Sequence, residues 1–294
     1  MTVLLATTGG GKSLLKCHMA ANHLMYGKNV LYITMEMAEE EIGRRIDANI
    51  MDITMDEVNE IPRDVYDKRL ARYKTKTTGK LIIKEYPTGS VHSGHFRHLL
   101  NELEMKKNFK PDVIFLDYLI ICASSRVRGA AAASSYNLVK SIAEEVRGLA
   151  MEYNCAVVTS SQFNRDGYGN SDVDLTNTSE SMGITHTADC ILGLVTSEQL
   201  DELGQLMLKQ LKNRWGDLGY YRRFLVGIDR AKMKIYELEE SAQNNVNLDE
   251  GSGGGSGKKM KSYDDDGPVF DKTDIGMRLK GKRKGQVFSD AQLT

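Results

Sequence analysis

Cysteine is scarce in this chain: four residues in 294, Cys17, Cys122, Cys155 and Cys190, widely spaced and with no C-x-x-C pair. Each sits among apolar neighbours, so they read as small core residues and suit a reducing compartment. A surplus of positive charge is lacking as well. The formal net charge of -1 argues against a wholly basic nucleic-acid binder, and any such contact has to come from a local patch. No apolar run is long enough to span a bilayer. The first apolar run is short and leads straight into a glycine-rich stretch, so no secretory leader is read and the expected location is cytoplasmic. An arginine-rich lid, which a phosphotransferase with a small acceptor usually needs, is missing too. Apolar mass is present: 41 % hydrophobic residues support a sizeable core, in one large domain or a domain with appendages.

The chain is organised around Ala6-Thr7-Thr8-Gly9-Gly10-Gly11-Lys12-Ser13. An apolar run, Val3-Leu4-Leu5, precedes it, and a helical segment, 14–26, follows. Strand, glycine loop and helix are the context of a phosphate-binding loop. Glycines let backbone N–H groups curl around a phosphate with no Cβ in the way, and the helix N-terminus adds positive potential. Thr8, Gly9, Gly10, Gly11, Lys12, Ser13 and Leu14 are therefore the candidate nucleotide-binding residues, with Lys12 on the β- and γ-phosphates and Ser13 on Mg²⁺. Ala6 stands where the pattern usually has its first glycine. The blander reading, a glycine turn beside a lysine, does not account for the flanking strand and helix.

Further along, apolar strands alternate with helical stretches. Strands are expected at 30–34, 81–86, 113–117, 156–160 and 191–195, and helices at 38–49, 55–73 with a break at Pro62, 94–107 and 136–153. Residues 206–211, 224–228 and 234–238 read as antiparallel strands around a turn at Trp215-Gly216-Asp217. The alternation predicts an α/β fold with a mostly parallel sheet and helices on both faces, and ligands bind such sheets at the carboxyl ends of the strands. Lys12, Glu36, Asp117 and Gln162 each follow an apolar strand there.

Each of these has a role in hydrolysing a nucleoside triphosphate. Asp117 is placed to hold Mg²⁺ through water as a Walker B acid does. Glu36 is placed to orient and deprotonate the attacking water; its alternative, an acid at a helix N-terminus, is already supplied by Glu39, Glu40 and Glu41. Gln162 could sense the γ-phosphate, although alone it would read as a polar strand end. Lys212 and Arg214 alternate on one strand face and could reach an adjacent subunit as a finger; a solvated basic edge would explain them equally well taken alone.

Several blocks appear in the order of one family. The glycine loop, Tyr32-Ile33-Thr34-Met35-Glu36-Met37-Ala38-Glu39-Glu40, Phe115-Leu116-Asp117-Tyr118-Leu119, Ser161-Gln162-Phe163-Asn164-Arg165 and Lys212-Asn213-Arg214 resemble the hexameric DnaB-type replicative helicases. Lys84 to Gly89 and Phe96 to Phe109 look especially like their T4-like phage branch. The resemblance covers about residues 3–240. It implies a RecA-like P-loop motor, with ATP and Mg²⁺, that forms a homohexameric ring and moves 5′ to 3′ on single-stranded DNA, unwinding duplex at the fork. By the family's pattern Glu36 is the catalytic base, Gln162 the sensor, and Lys212 and Arg214 act across the subunit interface. Its channel loops correspond to about 123–135 and 164–183, with Arg126, Arg128, Arg165 and Glu180 as DNA-binding candidates. Primase and a helicase loader are implied partners, and a phage-encoded chain would work in the host cytoplasm. The alternative is a RecA-like filament-forming or regulatory ATPase without unwinding activity.

The expected organisation is a motor domain over 1–240, a flexible Gly/Ser linker over 241–257 and a polar tail over 258–294. The linker has the composition of a tether, engineered or natural. The tail pairs an acidic run, Asp264 to Asp266, with a basic one, Arg278 to Lys284, and reads best as a solvated, disordered segment, with a fused peptide or a nucleic-acid arm as alternatives. The bland run Ala130 to Ala133 lies where a functional loop is expected.

Overall fold

The computed structural model describes residues 1–127, 135–163, 182–218, 222–239 and 243. The expected channel loop over 164–183 falls outside them except for its last two residues, as do the tail, the Ala130 to Ala133 run and all of the linker but Gln243.

The described strands form one sheet in the order β3-β2-β4-β5-β1-β6-β7-β8-β9. From β1 (Thr2–Ala6) to β6 (Cys190–Val195), through β2 (Val30–Thr34), β3 (Leu81–Glu85), β4 (Val113–Asp117) and β5 (Ala156–Gln162), all pairings are parallel. The last three, β7 (Gln205–Asn213), β8 (Arg223–Asp229) and β9 (Lys234–Glu237), add an antiparallel edge.

Helices cover both faces, which is why the central strands read as unbroken apolar runs. In β1, Val3 and Leu5 face a core shared with α5 (Ser93–Lys107) and α6 (Ser135–Glu152), while Leu4 and Ala6 face one shared with α1 (Lys12–Met25) and α2 (Glu39–Met51). On the second side Tyr32 stacks on Phe115 with ring centroids 5.8 Å apart. Such a buried aromatic contributes roughly 1.5–3 kcal/mol through area alone.

Helix 55–73 is interrupted where expected. Pro62 separates α3 (Met55–Glu60) from α4 (Arg63–Lys74), and α3 opens on a capping box between Thr54 and Glu57. The remaining α-helices among the described residues, α7 (Met182–Thr187) and α8 (Glu198–Glu202), are short.

Two strands run longer than their apolar pattern suggests. β5 continues through Ser160 and Ser161 to Gln162, because β1 and β4 flank it and leave both serines fully buried. β7 reaches Asn213, pairing with β6 to Cys190.

Candidate active site

The sheet gathers the predicted site residues at one end. Ala6 is level with Gln162, and Thr34 is level with Asp117. The carboxyl ends of β1, β5, β4 and β2 thus lie side by side, and Lys12, Gln162, Asp117 and Glu36 meet there. Gly9 and Gly11 in the loop have φ of 75° and 87°, which favour glycine. Gly10 explains how Ala6 is tolerated. A Cβ at position 10 would come 3.0 Å from the Ala6 Cβ, so the missing side chain at 10 makes room for the extra one at 6. Helix α1 starts at Lys12, two residues before its apolar pattern, on a left-handed Gly11 with no side-chain cap. The first-turn N–H groups are the orphan donors that an anion satisfies. Thr8 is exposed at the loop crest and Leu14 is buried beneath it.

Lys12 Nζ donates to the carbonyls of Ala6 (3.2 Å) and Thr7 (2.6 Å). Burial and the neighbouring Lys16 ammonium pull its pKa down to about 8, against the opposing carboxylates of Asp117 and Glu36. The Lys12 charge thus lies within electrostatic reach of both acids.

Asp117 is the hub, and its peptide bond to Tyr118 is cis. Oδ2 accepts from Ser13 Oγ at 3.1 Å and from the Tyr32 hydroxyl at 3.1 Å. Oδ1 accepts from Lys16 Nζ, which also donates to Ser160 Oγ at 2.8 Å. Lys16 and Tyr32 were not legible as site residues. A Ser hydroxyl beside one carboxylate suits Mg²⁺, a hard cation that takes oxygen ligands and commonly keeps waters and substrate phosphates as the rest. No cluster of three His, Cys, Asp or Glu side chains that could cage a metal exists among the described residues.

Glu36 is held on a turn built by Thr34. The buried Thr34 Oγ1 donates to the Met37 carbonyl (2.8 Å) and accepts from the N–H groups of Met37 (3.1 Å) and Glu36 (3.4 Å). Met35 N donates to the Asp117 carbonyl at 2.9 Å, and Thr88 Oγ1 donates to the Met35 carbonyl at 2.7 Å. The turn leaves Glu36 exposed beside the loop. Gln162 is also exposed, on the strand next to β1.

Lys212 and Arg214 are not part of this gathering. β7 is antiparallel to β6, so its end is level with Cys190, which is level with Thr2 at the amino end of β1. The four residue steps from Thr2 to Ala6 separate them from the loop by about 13 Å of sheet. Arg214 lies one residue past β7, a small departure from a shared strand face. The two cations are still neighbours: Lys212 Nζ donates to the Thr185 carbonyl at 2.5 Å, and Arg214 pairs with Asp189 at 2.7 Å. Burial, then the Arg214 charge, lowers the Lys212 pKa. Asp189 also pairs with Arg147 at 2.9 Å and accepts from the Met1 nitrogen at 2.8 Å. Neither Arg147 nor Asp189 was foreseen.

Of the DNA-binding candidates, Arg126 is described and exposed, with a 3.5 Å ion pair to Glu144; Arg128, Arg165 and Glu180 lie outside the described residues. The segment carrying Arg126 rests on Glu145 of α6. That buried carboxylate accepts from Ser93 Oγ (2.5 Å), Ser124 Oγ (2.6 Å), Ser125 Oγ (2.7 Å) and Ser125 N (3.0 Å). Burial works against its charge, but the donors from Ser124, Ser93 and Ser125 outweigh it and hold the pKa at about 2, from an ordinary 4.5. A depressed carboxyl pKa stabilises the fold above pH 4.5, and that contribution is lost as pH falls towards 2. Glu145→Gln should lower stability by about 1–3 kcal/mol at neutral pH and flatten the acid limb between those pH values. Urea titrations across pH measure both.

Gln243, within the stretch expected as linker, brackets β8: its amide accepts from Leu225 N (2.8 Å) and donates to Leu225 O (2.6 Å). No helix among the described residues is long and apolar enough to cross a membrane.

Known proteins resemble the chain over most of its length. The DnaB-like helicase C-terminal domain family matches residues 1–225. A DnaB-like replicative helicase of Enterobacteria phage T4 is 42 % identical over 245 residues, which cover 82 % of this chain and 51 % of that protein. The chain spans about half the length of the curated relatives it matches. Two solved structures share its fold at a TM-score of 0.66 each. One is a DnaB-like replicative helicase studied with its interactions with primase (17 % identity, covering 81 % of this chain and 57 % of that one). The other is an ATPase domain (16 % identity, covering 81 % and 84 %). With that family matched over most of its length and a relative 42 % identical over 82 % of it, the chain belongs to the DnaB-like helicase C-terminal domain family.

Proposed function

We propose that residues 1–240 are the ATPase motor of a replicative DNA helicase, which hydrolyses ATP between subunits and couples that to movement on single-stranded DNA, 5′ to 3′, opening duplex at the fork. One observation carries the reading of interfacial chemistry. Lys12, Glu36, Asp117 and Gln162 share one end of the sheet, while the Lys212 and Arg214 pair sits at the other. A finger there cannot serve its own loop and is free to serve a neighbour's.

The residues divide the work as follows. Backbone N–H groups of the loop and the Lys12 ammonium bind the β- and γ-phosphates. Ser13 and Asp117 would hold Mg²⁺, which, when bound, neutralises charge on the phosphate oxygens. The Glu36 carboxylate orients the attacking water and takes its proton. Arg214 and Lys212 of the adjacent subunit stabilise charge on the transferring phosphoryl group. Gln162, at the foot of the segment after β5, reports the γ-phosphate to it. Arg126, with Arg128, Arg165 and Glu180 beyond, faces DNA through backbone contacts that do not read sequence. A homohexameric ring, primase and a loader are the proposed partners, by family membership and the relative studied with primase.

The test is the ATPase rate per subunit against protein concentration, with and without single-stranded DNA. A rate that climbs with both is expected. A flat, DNA-independent rate overturns the interfacial reading. Unwinding of a forked duplex then separates a motor from a filament-forming or regulatory ATPase.

A further inference from the structure

We infer that Lys16 is a positioning residue of the nucleotide site: an internal counter-cation that fixes Asp117 and weakens its hold on the metal that arrives with the nucleotide. The inference rests on the nucleotide-site reading above.

Lys16 lies one helical turn past Lys12, on the face of α1 that packs against the sheet. Its neighbours there, Leu15, Cys17, Ala20 and Leu24, are apolar and buried. A lysine in such company is almost never fully buried unless it is paired, yet Lys16 is 0 % exposed and faces Asp117, itself 2 % exposed. Its ammonium bonds Asp117 Oδ1 on β4 and Ser160 Oγ on β5, so one side chain ties three elements together.

The arrangement makes the carboxylate one-sided. Oδ1 is taken by Lys16, and Oδ2 is shared by Tyr32 below and Ser13 at the loop. Only the Ser13 side opens towards the phosphate-binding loop. The charge balance follows. Without a metal, a buried carboxylate alone would carry a large desolvation cost. Lys16 supplies the opposite charge, and the loop keeps its shape between nucleotides. When a divalent cation arrives at Ser13 and Asp117, the same ammonium repels it and has already offset the carboxylate. The metal is therefore bound well only together with the phosphates, and it can leave with the product. Hydrolysis by turnover requires such release.

The test uses the full chain, the fluorescent probe N-methylanthraniloyl-ADP and a Mg²⁺ titration, with no catalysis involved. For Lys16→Met, the Mg²⁺ concentration at half-maximal probe binding should fall by about tenfold, the order expected from removing a positive charge a few ångströms away. The melting temperature without ligand should fall, and the rise on adding Mg²⁺ with ADP should exceed that of the parent chain, because the metal now supplies the missing charge. In an Asp117→Asn background the same Lys16→Met change should move the Mg²⁺ midpoint by less, because the direct repulsion is still removed but no carboxylate is left to be freed. A midpoint unchanged in Lys16→Met alone means a merely structural lysine and overturns the inference. If Lys16→Met is unfolded without ligand, folding regained with saturating Mg²⁺ and ADP, seen by circular dichroism, supports the inference, and continued unfolding overturns it. Failure of the parent chain to bind the probe in a Mg²⁺-dependent way would instead sink the nucleotide-site reading itself.

Discussion

Glu36→Gln should lower kcat for ATP hydrolysis by about 10²–10⁴-fold, the range that a general base contributes, while nucleotide affinity stays within a few-fold of the parent. The glutamine amide keeps the shape of the side chain and still orients a water through its oxygen, but it cannot take the proton. Glu36 is exposed on its turn, so the change buries no unpaired group and should shift stability by no more than about 0.5 kcal/mol. The competing reading, an acid serving the α2 dipole, predicts the reverse pattern. Such an acid adds about 0.3–1 kcal/mol to helix stability and nothing to turnover. Single-turnover hydrolysis with parallel probe-binding and melting curves tells the two apart. Turnover within a few-fold of the parent, or a loss matched by lost binding, would end the assignment of Glu36 as base. Thr34→Val offers a subtler version, because it keeps the carboxylate but removes the hydroxyl that shapes the Glu36 turn.

The site divides sharply into what sequence could and could not disclose. The loop was legible because its chemistry is contiguous: glycines, lysine and serine must be adjacent to wrap one phosphate. Asp117 and Glu36 were legible because buried parallel strands are apolar to their ends, and an acid there stands out. Lys16 was not, since a lysine on an amphipathic helix ordinarily reads as surface. Only the register that sets Thr34 against Asp117 puts Tyr32 beneath that carboxylate and α1 above it. The serines around Glu145 and the Asp189 pairs join residues from 20 to 188 positions apart, a distance no local pattern spans. The polar end of β5 is the converse case: Thr159, Ser160 and Ser161 break the apolar run, yet the strand carries them, buried, to the expected strand end at Gln162, with Ser160 and Ser161 level with Leu4 and Leu5 of β1. Polar residues entered this core where hydrogen bonds, rather than apolar contacts, hold the machinery together.

Arg214→Ala should lower the turnover of assembled protein by about 10³–10⁵-fold, the size of an arginine finger's contribution, while leaving binding of the ADP probe by a single chain unchanged. The asymmetry follows from the sheet. The Lys212 and Arg214 end of β7 is level with the start of β1, and the phosphate loop is level with its finish. Arg214 is tied to Asp189 yet keeps 39 % of its side chain exposed, which leaves the guanidinium accessible to a neighbour once the pair is exchanged for a phosphate. Opposite placement gives a decisive form of the experiment. Lys12→Ala removes the phosphate grip but keeps the finger; Arg214→Ala removes the finger but keeps the grip. Each alone should be inactive. Mixed together and allowed to exchange subunits, they form some interfaces in which an intact Lys12 site faces an intact Arg214, and hydrolysis should return at those interfaces. Recovery cannot arise if both residues act within one chain, because every chain in the mixture then lacks one of them. Absence of recovery in a mixture shown to co-assemble, or an Arg214→Ala protein as active as its parent, would remove the finger from Arg214 and leave it as the ion-pair partner of Asp189.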